Sequence, residues 1–107
     1  MERIINYNMF EQIIENELVI VIAKTKTCAV CKPLSNKLTE FMKDYPEVLL
    51  YEVYLEDVEI FQGQHLVFTV PTILVFSNKK ELLRESRFID FDRLSRLLEV
   101  FLNSKTQ

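Results

Sequence analysis

The chain has 107 residues, of which 49% are hydrophobic and 27% are charged, and its formal net charge is −3 at pH 7; this is the size and balance of one globular domain over residues 1–107. The negative charge and the lack of a basic run argue against a nucleic-acid-binding protein. The longest strongly apolar run, residues 18–23, is far shorter than the roughly 20 residues of a membrane-spanning helix. The N-terminus also lacks the apolar stretch of a secretory signal. We therefore expect a cytoplasmic protein with no membrane partner.

The first half of the chain predicts a helix, a strand, a second helix and a second strand. Residues 8–16 predict a short amphipathic helix, because their apolar residues fall at helical spacing. Residues 18–23 predict a strand buried on both faces, because the run is short, continuous and rich in β-branched residues. A polar loop leads into a helix over residues 31–45, and residues 48–55 predict the next strand. This strand–helix–strand order implies a parallel pair with a right-handed crossover.

The second half predicts a short helix, a strand hairpin and a final helix. Residues 56–68 contain the only glycine and predict one or two helical turns followed by a loop. Residues 72–76 and 81–88 predict antiparallel strands joined by a turn at residues 77–80. Asp90 suits the N-cap of a last amphipathic helix. The predicted fold class is therefore α/β, with a central mixed sheet of four or five strands and helices on both faces.

The two cysteines, Cys28 and Cys31, lie in the sequence TKTCAVCK, where a strand passes into a helix. Residues three apart on a helix face the same side with Cβ atoms about 5–6 Å apart, so the pair can form and break a disulfide with little movement. A helix N-terminus favours the thiolate, and Lys24, Lys26 and Lys32 would strengthen that effect. Cys28 should be the more exposed and reactive thiol, and Cys31 the buried thiol that resolves a mixed disulfide.

Two other roles are open to such a pair. A structural zinc site needs about four ligands, and the chain offers only two cysteines and His65, so a complete site would have to be shared in a dimer. The cysteines could also be inert core residues, although their polar flanking sequence is an exposed position for that. The two-residue spacing after a strand–helix boundary favours redox chemistry without a metal.

The chain resembles the thioredoxin superfamily in its apolar strand, its CAVC motif followed by Lys32, its element order and the sequence TVPT at residues 69–72. The resemblance implies a thioredoxin fold, with a cis peptide bond before Pro71 and a substrate groove beside the cysteines. The groove residues would be Thr27, Ala29, Val70, Pro71 and Thr72. The resemblance also implies a thiol–disulfide oxidoreductase of the protein-disulfide reductase type, in which Cys28 and Cys31 are the catalytic residues.

The partners implied by this resemblance are disulfide-bearing protein substrates and a separate reductase for recycling. The chain carries no flavin or nicotinamide motif, so we expect no bound cofactor, and we expect a monomer. Glutaredoxins have a Gly-Gly pair downstream of the proline strand, whereas residues 72–85 contain no glycine. Glutathione is therefore not expected as an obligatory partner.

Several departures from the family leave another function open. Thr27 replaces a tryptophan, Ala29 and Val30 replace Gly-Pro, and Ile22 stands where the family has a buried aspartate. These losses also fit a thioredoxin-fold binding or redox-sensing module with little turnover. Glu52 stands where the family has a lysine. Glu52 either replaces the missing carboxylate as a base for Cys31 or, as is more usual for a glutamate, points to solvent.

Two further residues carry structural expectations. Pro33 cannot donate a backbone hydrogen bond, so either the regular helix begins near Cys31 and Pro33 occupies its first turn, or the helix is kinked there. His65 lies in the loop before Phe68, and we expect it to be a surface residue.

Overall fold

Five strands and four helices make up the fold, which a computed structural model describes over residues 1–105 and, for side chains, over residues 1–103. A 3-10 turn, Met42–Asp44, follows the second helix directly. In chain order the elements are β1 (Glu2–Ile4), α1 (Tyr7–Ile13), β2 (Val19–Lys24), α2 (Cys31–Phe41), β3 (Leu49–Tyr54), α3 (Glu59–His65), β4 (Thr72–Ser77), β5 (Lys80–Ser86) and α4 (Phe91–Lys105).

The strands form one mixed sheet in the order β1-β3-β2-β4-β5. β3 is parallel to both β1 and β2, whereas β4 is antiparallel to β2 and β5. Ala23 lies opposite Thr72, and Thr72 lies opposite Ser86. The end of β2, the start of β4 and the end of β5 therefore meet at one end of the sheet, where the chain passes from β2 into the cysteine loop.

The sheet is covered on both faces because successive side chains of its strands point to opposite sides. Val19, Val21 and Ala23 of β2 pack with α1 and α3. Ile20 and Ile22 of the same strand pack with α2 and α4. All five are fully buried, which confirms the predicted doubly buried strand and the predicted α/β class with helices on both faces. This packing gives the cysteine loop a rigid base.

Some element boundaries differ from the prediction for identifiable reasons. The three-residue β1 was missed, because it is too short to show a periodic pattern and only Ile4 is buried. The predicted helix over residues 31–45 is regular only as far as Phe41.

Asp90 is confirmed as the N-cap of α4, since its Oδ1 accepts a hydrogen bond from the Arg93 N–H at 3.0 Å. None of the helices within residues 1–105 is both long and apolar enough to cross a membrane.

Candidate active site

Cys28 and Cys31 form a disulfide, with their Cα atoms 5.4 Å apart. α2 begins at Cys31, so Cys28 lies in the preceding turn rather than at the start of the helix itself. The Cys31 N–H donates to the Cys28 carbonyl at 3.3 Å, which holds that turn. Cys31 is only 2% exposed, whereas Cys28 is half-buried. The predicted order of burial is therefore confirmed.

Pro33 occupies the first turn of α2, which is the first of the two geometries expected from the sequence. The helix is regular from Cys31, and Val30 takes the N-cap position. The N–H groups of a first turn have no intrahelical partner, so a proline there removes no hydrogen bond. The Leu34 N–H, next in the chain, already donates to the Val30 carbonyl at 3.3 Å.

The loop before β4 reaches the same end of the sheet as the cysteines. The Val70–Pro71 peptide bond is cis, as the resemblance implied. Thr72, the next residue, is 1% exposed, and its hydroxyl donates to the Thr69 carbonyl at 2.6 Å. The Thr72 hydroxyl oxygen also lies 2.8 Å from the Ser86 hydroxyl. Thr72 therefore fixes the loop from beneath and offers little side-chain surface.

The other predicted groove residues differ in exposure. Thr27 and Ala29 in the cysteine loop are exposed, Val70 is half-buried, and Pro71 is buried. The register between Ala23 and Thr72 places both loops beyond the same end of adjacent strands. Of the predicted groove residues, Thr27, Ala29 and Val70 are therefore the ones whose side chains are at least partly exposed.

Lys24, four residues before Cys28, is buried although it is charged. Its residue exposure is 6%, and its Nζ lies 2.6 Å from Glu52 Oε1. The same Nζ donates to Ser35 Oγ at 3.0 Å. On the other side of the carboxylate, Arg3 Nε lies 3.4 Å from Glu52 Oε2. Four elements, β1, β2, β3 and α2, thus contribute to one polar cluster under the active-site helix.

The expectation that Glu52 points to solvent is wrong. Its side chain is only 13% exposed. Glu52 lies opposite Ile22 in the parallel pair, and this register places its side chain on the sheet face that α2 covers. Carboxylates shielded from water are usually paired, and Lys24 is the partner of this one.

A cavity of about 980 Å³ opens beside the disulfide. Both cysteines line it, together with all three of the lysines singled out in the sequence, and so do Ser35 and Glu52. Lys26 Nζ lies 2.8 Å from Asp57 Oδ1, and this hydrogen bond raises the pKa of Lys26. Within residues 1–105, no group of three or more His, Cys, Asp or Glu side chains is placed to hold a metal ion.

His65 is half-buried rather than on the surface, which corrects the expectation. Its Nε2 is hydrogen-bonded to the Tyr7 hydroxyl at 3.0 Å, and its ring lies 4.8 Å from the centroids of both Phe10 and Phe61. Burial lowers the pKa of His65. These aromatic neighbours belong to the core on the sheet face opposite α2, so His65 is a packing residue and lies outside the cysteine site.

The family model described as Thioredoxin matches residues 2–99 of the chain. The chain belongs to the thioredoxin family. The thioredoxin-like protein YdfQ of Bacillus subtilis is 35% identical over 72 residues, which cover 67% of this chain and 64% of that protein. The thioredoxin of Chlamydia caviae is 28% identical over 98 residues, which cover 92% of this chain and 96% of that protein.

The solved structure of Plasmodium falciparum thioredoxin has the same fold. It superposes with a TM-score of 0.81 at 24% identity, over 92% of this chain and 97% of that one. In this thioredoxin-family chain the disulfide joins Cys28, in the turn before α2, to Cys31, the first residue of α2. Family membership and that pair together make it a thiol–disulfide oxidoreductase of the thioredoxin type.

Proposed function

We propose that this thioredoxin-family protein reduces disulfides in polypeptide substrates, with Cys28 as the attacking thiol and Cys31 as the resolving thiol. The observation that carries the assignment is the contrast in exposure across one short turn. Cys28 is half-buried at the cavity, and Cys31 beside it is 2% exposed. A substrate sulfur reaches Cys28 from outside, whereas Cys31 reaches only the sulfur of Cys28.

Each step of the exchange balances in atoms and electrons. The Cys28 thiolate attacks one sulfur of the substrate disulfide, forms a mixed disulfide and releases the other sulfur as a thiolate. Cys31 then attacks the sulfur of Cys28, which forms the Cys28–Cys31 disulfide and releases the second substrate thiol. Two electrons pass from the protein dithiol to the substrate, and a separate reductase returns them.

The substrate segment is proposed to bind in extended form beside Cys28. Thr72 begins the paired part of β4, and Pro71 before it has no N–H. The backbone of Val70 therefore extends past the paired part of the strand, where it can form main-chain hydrogen bonds to an added strand. Thr27 and Ala29 border this position from the cysteine loop, while Pro71 and Thr72 maintain its shape.

The proposed working environment is the cytoplasm, because its thiol–disulfide poise keeps dithiols reduced and so supports the reducing direction. We assign the protein no bound cofactor, no nucleic-acid partner and a monomeric state in this role. Its contribution would be to cell redox homeostasis.

A turnover assay tests the proposed function. A protein disulfide is reduced with excess chemical dithiol, and the rates with the wild-type chain, Cys28→Ser and no protein are compared. The wild type should accelerate reduction well above both controls. Equal rates for wild type and Cys28→Ser would contradict the proposal and favour a redox-sensing module that does not turn over.

A further inference from the structure

We propose that Lys24, Glu52 and Ser35 form a buried proton-handling unit for the release of substrate, in which Glu52 accepts the proton of Cys31 and Lys24 is the positioning residue. The inference rests on the proposed function and adds residues to its second step. The cysteine motif does not predict a role for Lys24 or Ser35 in proton transfer. The contacts that join these two residues to Glu52 exist only in the folded chain.

The contacts of Lys24 connect the carboxylate to the face of α2 that carries Cys31. Lys24 Nζ is 2.6 Å from Glu52 Oε1 and 3.0 Å from Ser35 Oγ. Ser35 lies four residues after Cys31, and residues four apart on a helix have Cβ atoms about 5–6 Å apart on one face. Both Ser35 and Cys31 are buried. The ammonium therefore links Glu52 to Ser35, which lies one helical turn from the resolving cysteine.

The cavity supplies the route for the proton. Glu52, Lys24, Ser35 and both cysteines line the same volume of about 980 Å³. A general base acts by direct contact or through a bridging water, and a polar cavity of this size has room for water. The other carboxylate in the lining, Glu40, has a side chain that is 73% exposed and paired with Lys43. Glu52 is thus the shielded carboxylate of the cavity.

Stability alone gives no reason for this ion pair. Burying two charges costs desolvation energy that their mutual attraction offsets only with good geometry, and well-packed apolar residues are often at least as stabilising. Shielded ionisable groups beside a reactive pair are, by contrast, typical of sites that move protons. The Lys24 ammonium fixes the position of the carboxylate.

The Cys31 thiol transfers its proton to Glu52 through cavity water, and the resulting thiolate attacks the sulfur of Cys28. The bond between Cys28 and the substrate sulfur breaks as the Cys28–Cys31 disulfide forms. Glu52 then gives the proton to the departing thiolate, so the proton of Cys31 leaves with the substrate thiol, Glu52 is regenerated, and two electrons have passed from the protein to the substrate.

The charged groups around Glu52 come from every neighbouring element. Arg3 of β1 and Lys24 of β2 contact the carboxylate directly. Tyr54 of β3 has its ring 5.2 Å from Lys24 Nζ and 4.5 Å from the Arg3 guanidinium. The remaining charged residues that line the cavity are Lys26, Lys32, Glu40 and Met1 with its terminal amine. A change in the pH profile must therefore be shown to follow Glu52 itself.

The experiment is stopped-flow reaction of the reduced full-length chain with 5,5′-dithiobis(2-nitrobenzoate). The first coloured thiolate reports attack by Cys28 and depends on reagent concentration. The second coloured thiolate reports its release by Cys31, and the rate of this phase does not depend on reagent concentration. In Glu52→Gln the second phase should be at least about tenfold slower near neutral pH, with an altered pH profile, while the first phase stays within about twofold. Lys24→Met should slow the second phase similarly, and Lys24→Arg should restore most of it.

Two controls separate this role from a structural one. Glu81→Gln makes the same chemical change in a strand carboxylate paired with Arg84, at the far end of β5 from Ser86, and should change neither phase. Thermal melts identify any variant that is not folded, and Lys24→Arg and Glu52→Gln are informative even if Lys24→Met does not fold. A folded Glu52→Gln protein with the wild-type second phase and pH profile would overturn the inference. So would a rate loss that is equal at every pH.

The same traces distinguish failure of the inference from failure of the proposed function. If the wild type lacks the second phase and behaves like Cys31→Ser, the proposed exchange and this inference are overturned together. If the wild type shows the phase and Glu52→Gln does not alter it, the exchange stands and only the proton-handling role is removed.

Discussion

Lys24→Met removes a buried ammonium while keeping much of the apolar stem, so it isolates the charge of the Lys24–Glu52 pair. Glu52, whose side chain is 13% exposed, would be left with Arg3 at 3.4 Å. Removing one partner of a fully buried ion pair costs about 3–5 kcal/mol. Because Arg3 remains and the carboxylate keeps some contact with water, we expect Lys24→Met to lower the free energy of unfolding by about 2–3 kcal/mol.

The double variant Lys24→Met/Glu52→Gln gives the sharper prediction. With both charges removed no buried charge is left unpaired, so the double variant should be more stable than Lys24→Met alone and within about 1 kcal/mol of the wild type. The assay is urea unfolding of the oxidised chains at pH 7 with the slope compared among variants. Lys43→Met, which removes an exposed lysine paired with Glu40, is the control and should leave the midpoint unchanged. Additive effects of the two single changes would refute the claim that the residues form one unit.

Three further predictions concern the rest of the fold. Leu98→Ala, at a fully buried position of α4, should lower the free energy of unfolding by about 2–5 kcal/mol in the same assay, and a change under about 1 kcal/mol would contradict the described core. Asp90→Ala should cost about 1 kcal/mol because the Arg93 N–H loses its cap, whereas Asp90→Asn should cost much less. Burial lowers the pKa of His65 below its ordinary 6.5, so the unfolded chain binds the proton more readily than the folded chain. The free energy of unfolding should therefore be highest above about pH 6.5 and should fall as the pH drops below that value. His65→Gln should flatten the dependence measured between about pH 7.5 and 5.5, and an equally steep profile would contradict the assignment.

The parts of the fold that the sequence predicted depend on local pattern. β2 is a continuous β-branched run, and its burial on both faces follows from that composition. The exposure of Cys28 relative to Cys31 follows from their positions around the first turn of a helix. The cis bond at Pro71 came from resemblance to a family, because no local pattern indicates it.

The parts that the sequence did not predict depend on pairing between distant residues. Glu52 meets Lys24 only because β3 and β2 pair in the register that sets Glu52 opposite Ile22, and sequence pattern does not fix a parallel register. One signal was present: Lys24 continues the alternation of Ile20 and Ile22, so a charge on that face should be buried. His65 was misplaced because two of its aromatic neighbours, Phe10 and Phe76, come from elements far from α3 in the chain.

The roles of the two cysteines are tested most directly by trapping. Reduced Cys31→Ser is mixed with a disulfide-bonded polypeptide, and its intact mass is compared with those of the wild type and Cys28→Ser. The account predicts a stable adduct through Cys28 in Cys31→Ser, none in Cys28→Ser, and only the oxidised chain with released substrate thiol in the wild type. An adduct through Cys31 in Cys28→Ser, or none in Cys31→Ser, would contradict the account.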